Sequence, residues 1–299
     1  MQGERSVLPR GTTPQADSST TRNHDGAAFS ARLAGLSAGR LGRGLAALVD
    51  ALDGLVRDLR LTPAEFRQVL DYLTEVGHAA DARRQEWVLL ADALGLSMLV
   101  EDLNTPRPAG CTPNTVAGPF YRADAPLRDN GGSISLDGAG VHLQVRGRVL
   151  ALDGTALPGA WVEVWQANGQ GQYENQEPDL QPENNLRGRL KADGQGRFAF
   201  RSVMPGGYAL PSDGPVGRLM TRLGLCLARP AHIHFRVSAE GYQRLTTHIF
   251  DRDDPAIGRD AIFGVKPELL AEFRAVPMDG GAMGRALDLD LVLCPLRQG

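Results

Sequence analysis

The chain has 299 residues, 42% apolar and 22% charged, enough for one large domain or a core with an accessory segment and too apolar for a disordered or fibrous protein. Its 32 Lys and Arg against 35 Asp and Glu leave a net charge of −3, with no basic block to follow a phosphate backbone, so nucleic acid is not an expected partner. No apolar run approaches the ~20 residues of a membrane helix, and residues 1–26 lack the apolar stretch of a signal peptide, which reads as a cytoplasmic protein without a membrane span. Cys111, Cys226 and Cys294 are odd in number, far apart and free of C-x-x-C spacing, as expected of reduced structural thiols.

In chain order, residues 1–26 are polar and rich in Ser, Thr, Asn and Gly, a composition expected to stay a flexible tail. Residues 27–104 read as a helical segment. Leu41, Leu45, Leu48, Val49, Leu52, Val56 and Leu59 fall on one helical stripe, and Gly35, Gly39, Gly42 and Gly44 are expected to break its start. Thr62, Pro63 and Glu65 form a capping box that predicts a helix to about Val76. A third helix is expected from Asp81 to about Leu94, ending at Gly95. The stripe Leu45, Leu48, Leu52, Val56 and Leu59 is too long an apolar face to leave in water, which predicts a homodimer through these helices.

Past Asn104 the period falls from 3.6 to 2, and residues 105–299 read as a β-sandwich, so the fold class is mainly β with an α-helical N-terminal segment. Val141, Leu143 and Val145, then Val162 and Val164, Phe198 and Phe200, Ile233, Phe235 and Val237, and finally Leu287 to Leu293 alternate with polar residues. Asp153-Gly154 and Asp193-Gly194 supply turns between them.

The sharpest chemical feature is His232-Ile233-His234. Alternation sends Ile233, Phe235 and Val237 to one face and both imidazoles to the other, where they could share a metal; two ordinary sheet histidines would look the same. The strand offers neither carboxylate nor cysteine to complete a ligand set. Two tyrosines in polar, Gly-flanked loops do stand in the β-region, Tyr173 and Tyr208. Ligation as phenolate near neutral pH demands a hard, highly charged cation such as ferric iron, although each ring taken alone reads equally as an amphipathic side chain with a bonded hydroxyl.

The segments R-Q-E-W-V-L-L-A-D-A-L-G-L-S (84–97), G-P-F-Y (118–121), P-G-A-W-V-E-V-W-Q-A-N (158–168), N-L-R-G-R (185–189) and R-P-A-H-I-H-F (229–235) together resemble the intradiol ring-cleaving dioxygenases, over roughly four fifths of the chain. The resemblance implies a helical dimerisation segment, a β-sandwich carrying the site, and ferric iron, Fe(3+), held by Tyr173, Tyr208, His232 and His234. It implies a small aromatic diol or triol and O2 as partners and a phospholipid among the N-terminal helices. D-G-P-V-G (213–217), L-T-T-H-I-F (245–250) and D-A-I-F-G-V-K (260–266) are most similar to the hydroxyquinol 1,2-dioxygenases, and His248 stands where catechol enzymes typically carry Gln. The expected reaction is therefore cleavage of hydroxyquinol between vicinal hydroxylated carbons to 3-hydroxy-cis,cis-muconate or maleylacetate. Catechol or chlorocatechol cleavage is the alternative within the family, and a non-catalytic β-sandwich binding module the alternative outside it.

By the same resemblance Tyr208 leaves the metal when substrate binds and then takes a substrate proton. Arg229 stabilises negative charge on the ring, although a salt bridge or strand-end cap would also account for it. The implied substrate pocket is lined by Leu89, Asp92, Val116, Pro119, Phe120, Leu210, Pro211, Arg229, His248 and Ile262. Leu89 and Ile262 would serve equally as core, and Asp92 as a solvated helix residue.

Overall fold

The structure, a computed structural model, describes residues 31, 39–81, 84–278 and 281–296. The expected tail, residues 1–26, lies outside the described residues, as do Gly35 and most of the stretch before Gly39. The chain divides into two compact units, Met1–Asp71 and Tyr72–Gly299.

The first unit carries α1 (Arg40–Leu59). It corrects one expectation: Gly42 and Gly44 sit inside the helix, which begins at Arg40 after an extended Gly39. Each internal glycine costs about 1 kcal/mol of helix propensity, and a 20-residue helix of apolar periodicity tolerates two. Helix α2 (Pro63–Ala79) starts from a closed capping box. The Thr62 hydroxyl accepts the Glu65 N–H at 3.2 Å, and the Glu65 carboxylate accepts the Thr62 N–H at 2.8 Å, two end groups satisfied reciprocally.

In the second unit, α3 (Glu86–Ala93) begins five residues later than the Asp81 start expected from the sequence. Glu86 is fully buried and committed to tertiary bonds: its carboxylate accepts Arg84 Nε at 2.8 Å and the Val216 N–H at 3.0 Å. Gly95 does end α3, but at φ 72° it also opens α4 (Leu96–Asn104), so the stop signal was a corner between two helices. Helix α5 (Pro215–Arg222) was hidden in a Gly- and Pro-rich stretch; Pro215 opens it and Glu86 caps it from 130 residues away.

Two sheets then pack face to face. One has four strands in the order β10-β11-β1-β4: β1 (His142–Ala151), β4 (Arg197–Val203), β10 (Arg274–Pro277) and β11 (Met283–Leu293). The other has five in the order β3-β2-β7-β8-β9: β2 (Trp161–Gln166), β3 (Arg187–Lys191), β7 (His232–Ser238), β8 (Leu245–Asp251) and β9 (Leu270–Ala271). A two-stranded ribbon pairs β5 (Tyr208–Ala209) with β6 (Ala228–Arg229). The expected alternating positions form the shared core: Val145, Phe198, Phe200, Leu287 and Leu291 from one sheet meet Val162, Val164, Ile233, Phe235 and Val237 from the other. The β-sandwich with an α-helical N-terminal segment is thus observed.

Candidate metal centre and active site

Strand β7 is buried on both faces over its first four residues. Ile233 and Phe235 enter the sandwich core, and the pleat turns His232 and His234 outward, away from it. Antiparallel register sets Trp165 of β2 and His248 of β8 on either side of His234. The Trp165 indole stacks on His234 at 4.7 Å between ring centres, and His248 lies 4.2 Å from it. All three imidazoles are buried, and their nearest nitrogens lie within 4.8 Å of one another.

The protonation of His232 follows from its neighbours. Its Nδ1 donates to the Pro230 carbonyl at 2.7 Å, which leaves Nε2 as a lone pair. That Nε2 lies 3.2 Å from Nε2 of His234. Burial above all, then the Arg229 charge and the neighbouring imidazoles, holds all three histidines well below the ordinary imidazole range. All three are therefore neutral near pH 7, with nitrogen lone pairs that could meet a metal.

The two tyrosine loops arrive from the side. Gly171, at φ 81°, packs so closely that a Cβ would sit 2.6 Å from the Gly207 carbonyl and 2.8 Å from Tyr208 Cβ. The glycines flanking Tyr173 and Tyr208 therefore let the two loops touch. The Tyr173 and Tyr208 rings meet edge to face at 6.0 Å, and Tyr208 lies 5.7 Å from His232. Tyr173 is 1% exposed and its hydroxyl has no hydrogen-bond partner. Burial first, then Tyr208, pushes its proton affinity well above that of a free phenol, against the lowering charges of Arg229 and Arg187. A buried, unpartnered phenol beside facing imidazole nitrogens fits a cation of high charge, which would stabilise the phenolate and accept the lone pairs.

Arg229, 2% exposed, leans across this cluster. Its Nη1 lies 3.3 Å from the Tyr208 hydroxyl and 3.4 Å from His232 Nε2, while Nε bonds Asp260 at 3.1 Å. The salt bridge weighed from the sequence is therefore present together with the site contact. Phe120 stacks on Tyr173 at 4.1 Å and faces Tyr208 edge-on at 6.5 Å. Leu89, Val116, Leu210 and Ile262 join Tyr208 in one apolar cluster. Asp92 is half-buried at the end of α3; burial raises its carboxyl above the ordinary range, while the Ser97 hydroxyl and the Arg229 charge lower it. Pro119 and Pro211 lie exposed beside Phe120 and Leu210.

Sequence reasoning missed three supports. Asp260 holds Arg229. Trp165 backs His234. Arg187 is 1% exposed, pairs with buried Glu174 at 2.6 Å, donates to the Phe120 carbonyl and lies over the Tyr173 ring at 5.8 Å. N-L-R-G-R and D-A-I-F-G-V-K contain two of them, but a buried ion pair leaves no periodic signal in sequence.

A β-sandwich with buried imidazoles on one sheet, met by tyrosines from an adjoining loop and a separate two-stranded ribbon, fits an enzyme class with a candidate metal site. Residues 116–295 match the family model described as "Dioxygenase", and residues 39–112 match "Catechol dioxygenase N terminus". The chain belongs to the intradiol ring-cleavage dioxygenase family. Among curated relatives it is similar to a hydroxyquinol 1,2-dioxygenase of Rhizobium sp. (strain MTP-10005), 46% identical over 79% of this chain and 80% of that one. A 6-chlorohydroxyquinol 1,2-dioxygenase of Cupriavidus pinatubonensis is 42% identical over 89% and 94%. The solved structure of hydroxyquinol 1,2-dioxygenase from Pseudomonas putida DLL-E4 superposes with a TM-score of 0.85, at 35% identity over 91% and 99%. Family membership sets aside the non-catalytic binding module.

Proposed function

We propose that the chain is a non-haem Fe(III) intradiol dioxygenase that cleaves hydroxyquinol with O2 to 3-hydroxy-cis,cis-muconate or maleylacetate. Tyr173, Tyr208, His232 and His234 hold the metal in this reading. The observation that carries it is the unpartnered, fully buried Tyr173 hydroxyl beside imidazole nitrogens 3.2 Å apart. The relatives named above act on hydroxyquinol and its chlorinated form, which supports this substrate over catechol or chlorocatechol.

Ferric iron held by Tyr173, Tyr208, His232 and His234 would supply the Lewis acidity and redox capacity that a vicinal diol needs to react with O2. The chain's own groups do the rest. The Tyr208 side chain is the half-buried member of the tyrosine pair, so its oxygen is the one free to swing and accept a proton from a substrate hydroxyl. Arg229 supplies a fixed positive charge 3.3 Å from that oxygen and stabilises negative charge on the ring. Phe120, Leu89, Val116, Leu210 and Ile262 exclude water from one side of the ring. Asp92 accepts a hydrogen bond from the third hydroxyl.

A second reading rests on the three-histidine cluster, in which His248 replaces a tyrosine as ligand. Colour separates the two. Phenolate bound to ferric iron absorbs visible light, so the purified protein should be red to burgundy. Tyr173→Phe and Tyr208→Phe should shift or abolish that band and remove turnover, and His232→Ala should lose the metal. Colour and activity that survive either Phe variant would reject the tyrosine ligands and favour His248. Oxygen uptake with hydroxyquinol, catechol and 4-chlorocatechol side by side tests the substrate, and a higher kcat/KM for catechol would overturn it.

We also propose that the protein is a homodimer through its N-terminal helices, with a phospholipid held there, and that it works in the cytoplasm. The apolar stripe of α1 supports the first of these.

A further inference from the structure

Arg229 sits at the end of a two-residue strand, where its register partner is Tyr208. A two-residue ribbon alone cannot hold so long a side chain in one rotamer. What holds it is the turn Asp260–Gly264. The Asp260 carboxylate has two oxygens with separate tasks: Oδ1 accepts Arg229 Nε at 3.1 Å, and Oδ2 accepts the Gly264 N–H at 2.8 Å. Both side chains are almost fully buried, at 3% and 2% exposure. The turn is itself pinned, because the Ala261 N–H donates to the Ala228 carbonyl at 3.0 Å and Lys266 donates to the Asn114 carbonyl at 2.9 Å.

Two further features show how closely the turn is fitted. Phe263 takes φ 58°, a left-handed conformation costly for a bulky residue, and its ring covers Gly95 at the α3–α4 corner. Gly264 lies so close that a Cβ there would approach Asp260 Oδ2 to 3.1 Å and Arg229 Nη2 to 3.3 Å. Ile262 of the same turn lies in the apolar cluster that reaches Tyr208. Arg229 Nη2 is buried without a partner beside Gly264, whereas Nη1 is the nitrogen turned toward Tyr208 and His232.

We propose that Asp260 is a positioning residue: its carboxylate clamps Arg229 Nε so that Nη1 faces the reacting ring, and the same turn seats Ile262 against the substrate. This inference rests on the proposed function of the site. Asp260→Asn keeps the shape and removes the charge, and Asp260→Glu restores a carboxylate at a longer reach.

The decisive readout is independent of turnover. Arg229 modification by phenylglyoxal, followed by peptide mass spectrometry on the whole protein, should run about fivefold or more faster in Asp260→Asn, as a released guanidinium opens locally. Buried Arg187, held by Glu174, serves as the control. Over the same change kcat should fall about 10- to 100-fold with KM within about threefold, the signature of a displaced transition-state group. Asp260→Glu should recover part of kcat. Unchanged labelling of Arg229 would overturn the clamp, and so would equal acceleration at Arg187, which marks general loosening. If the wild-type protein, loaded with ferric iron, consumed no oxygen with any of the three diols while Arg229 labelling still rose selectively, the clamp would stand and the assigned reaction would fall.

Discussion

At the residue scale, the site is decided by which polar groups are left without partners. Tyr173, His234 and His248 carry buried atoms that bond nothing, and such groups cost free energy unless a ligand satisfies them. Asp92 poses the same question for the substrate. Its carboxyl is raised by burial and lowered by Ser97 and Arg229, so it lies within reach of the cluster's charge. If it accepts a hydrogen bond from the third hydroxyl of hydroxyquinol, catechol leaves it unpaired at a cost of a few kcal/mol, on the order of 10- to 1000-fold in kcat/KM. Asp92→Ala should then lower kcat/KM for hydroxyquinol and leave catechol equal or improved. Parallel steady-state assays in which both substrates fall equally, or neither moves, would remove Asp92 as the selector.

At the element scale, β7 and β8 place three imidazoles where two sheet strands pair, and burial keeps them neutral. The consequence for stability has a definite sign. In the unfolded chain each histidine gains a proton below about pH 6.5, whereas in the folded metal-free protein each stays neutral well below that value. The unfolded state therefore binds more protons, and stability falls as pH drops, by up to about 1.4 kcal/mol per pH unit for each histidine. This contribution is fully present above pH 6.5 and lost on acidification. Urea midpoints of the metal-free protein should decline from pH 7.5 to 5.5, and His248→Gln should make the decline shallower. A midpoint equally steep in the variant would mean that His248 is not held neutral by its surroundings.

At the scale of the whole molecule, Leu45, Leu48, Leu52, Val56 and Leu59 of α1 are each more than 40% exposed. A contiguous stripe of this kind is larger than soluble monomers usually leave in water. The expected outcome of sedimentation velocity at micromolar concentration is a dimer, and Leu48→Asp with Leu52→Asp should shift it to monomer. A stable wild-type monomer would contradict the assembly. No helix among the described residues is long and apolar enough to cross a membrane.

The strands of the sandwich core and the two imidazoles on one face of β7 were legible in sequence, because period-2 alternation is a local property that burial rewards residue by residue. The capping box at Thr62 was equally local and formed as written. The start of α3, the hidden α5 and the double role of Gly95 were not, since Glu86 gains its partners only when Val216 comes to it from 130 residues away. The same holds for the site. His232 and His234 are two residues apart, but Tyr173, Tyr208, Arg229, His248 and Asp260 come from separate strands and loops. Sequence alone determined which groups could bind a metal or carry charge. Tertiary structure decided which of them meet, because a lone pair or guanidinium acquires its chemistry only from what packing places within about 3 Å of it.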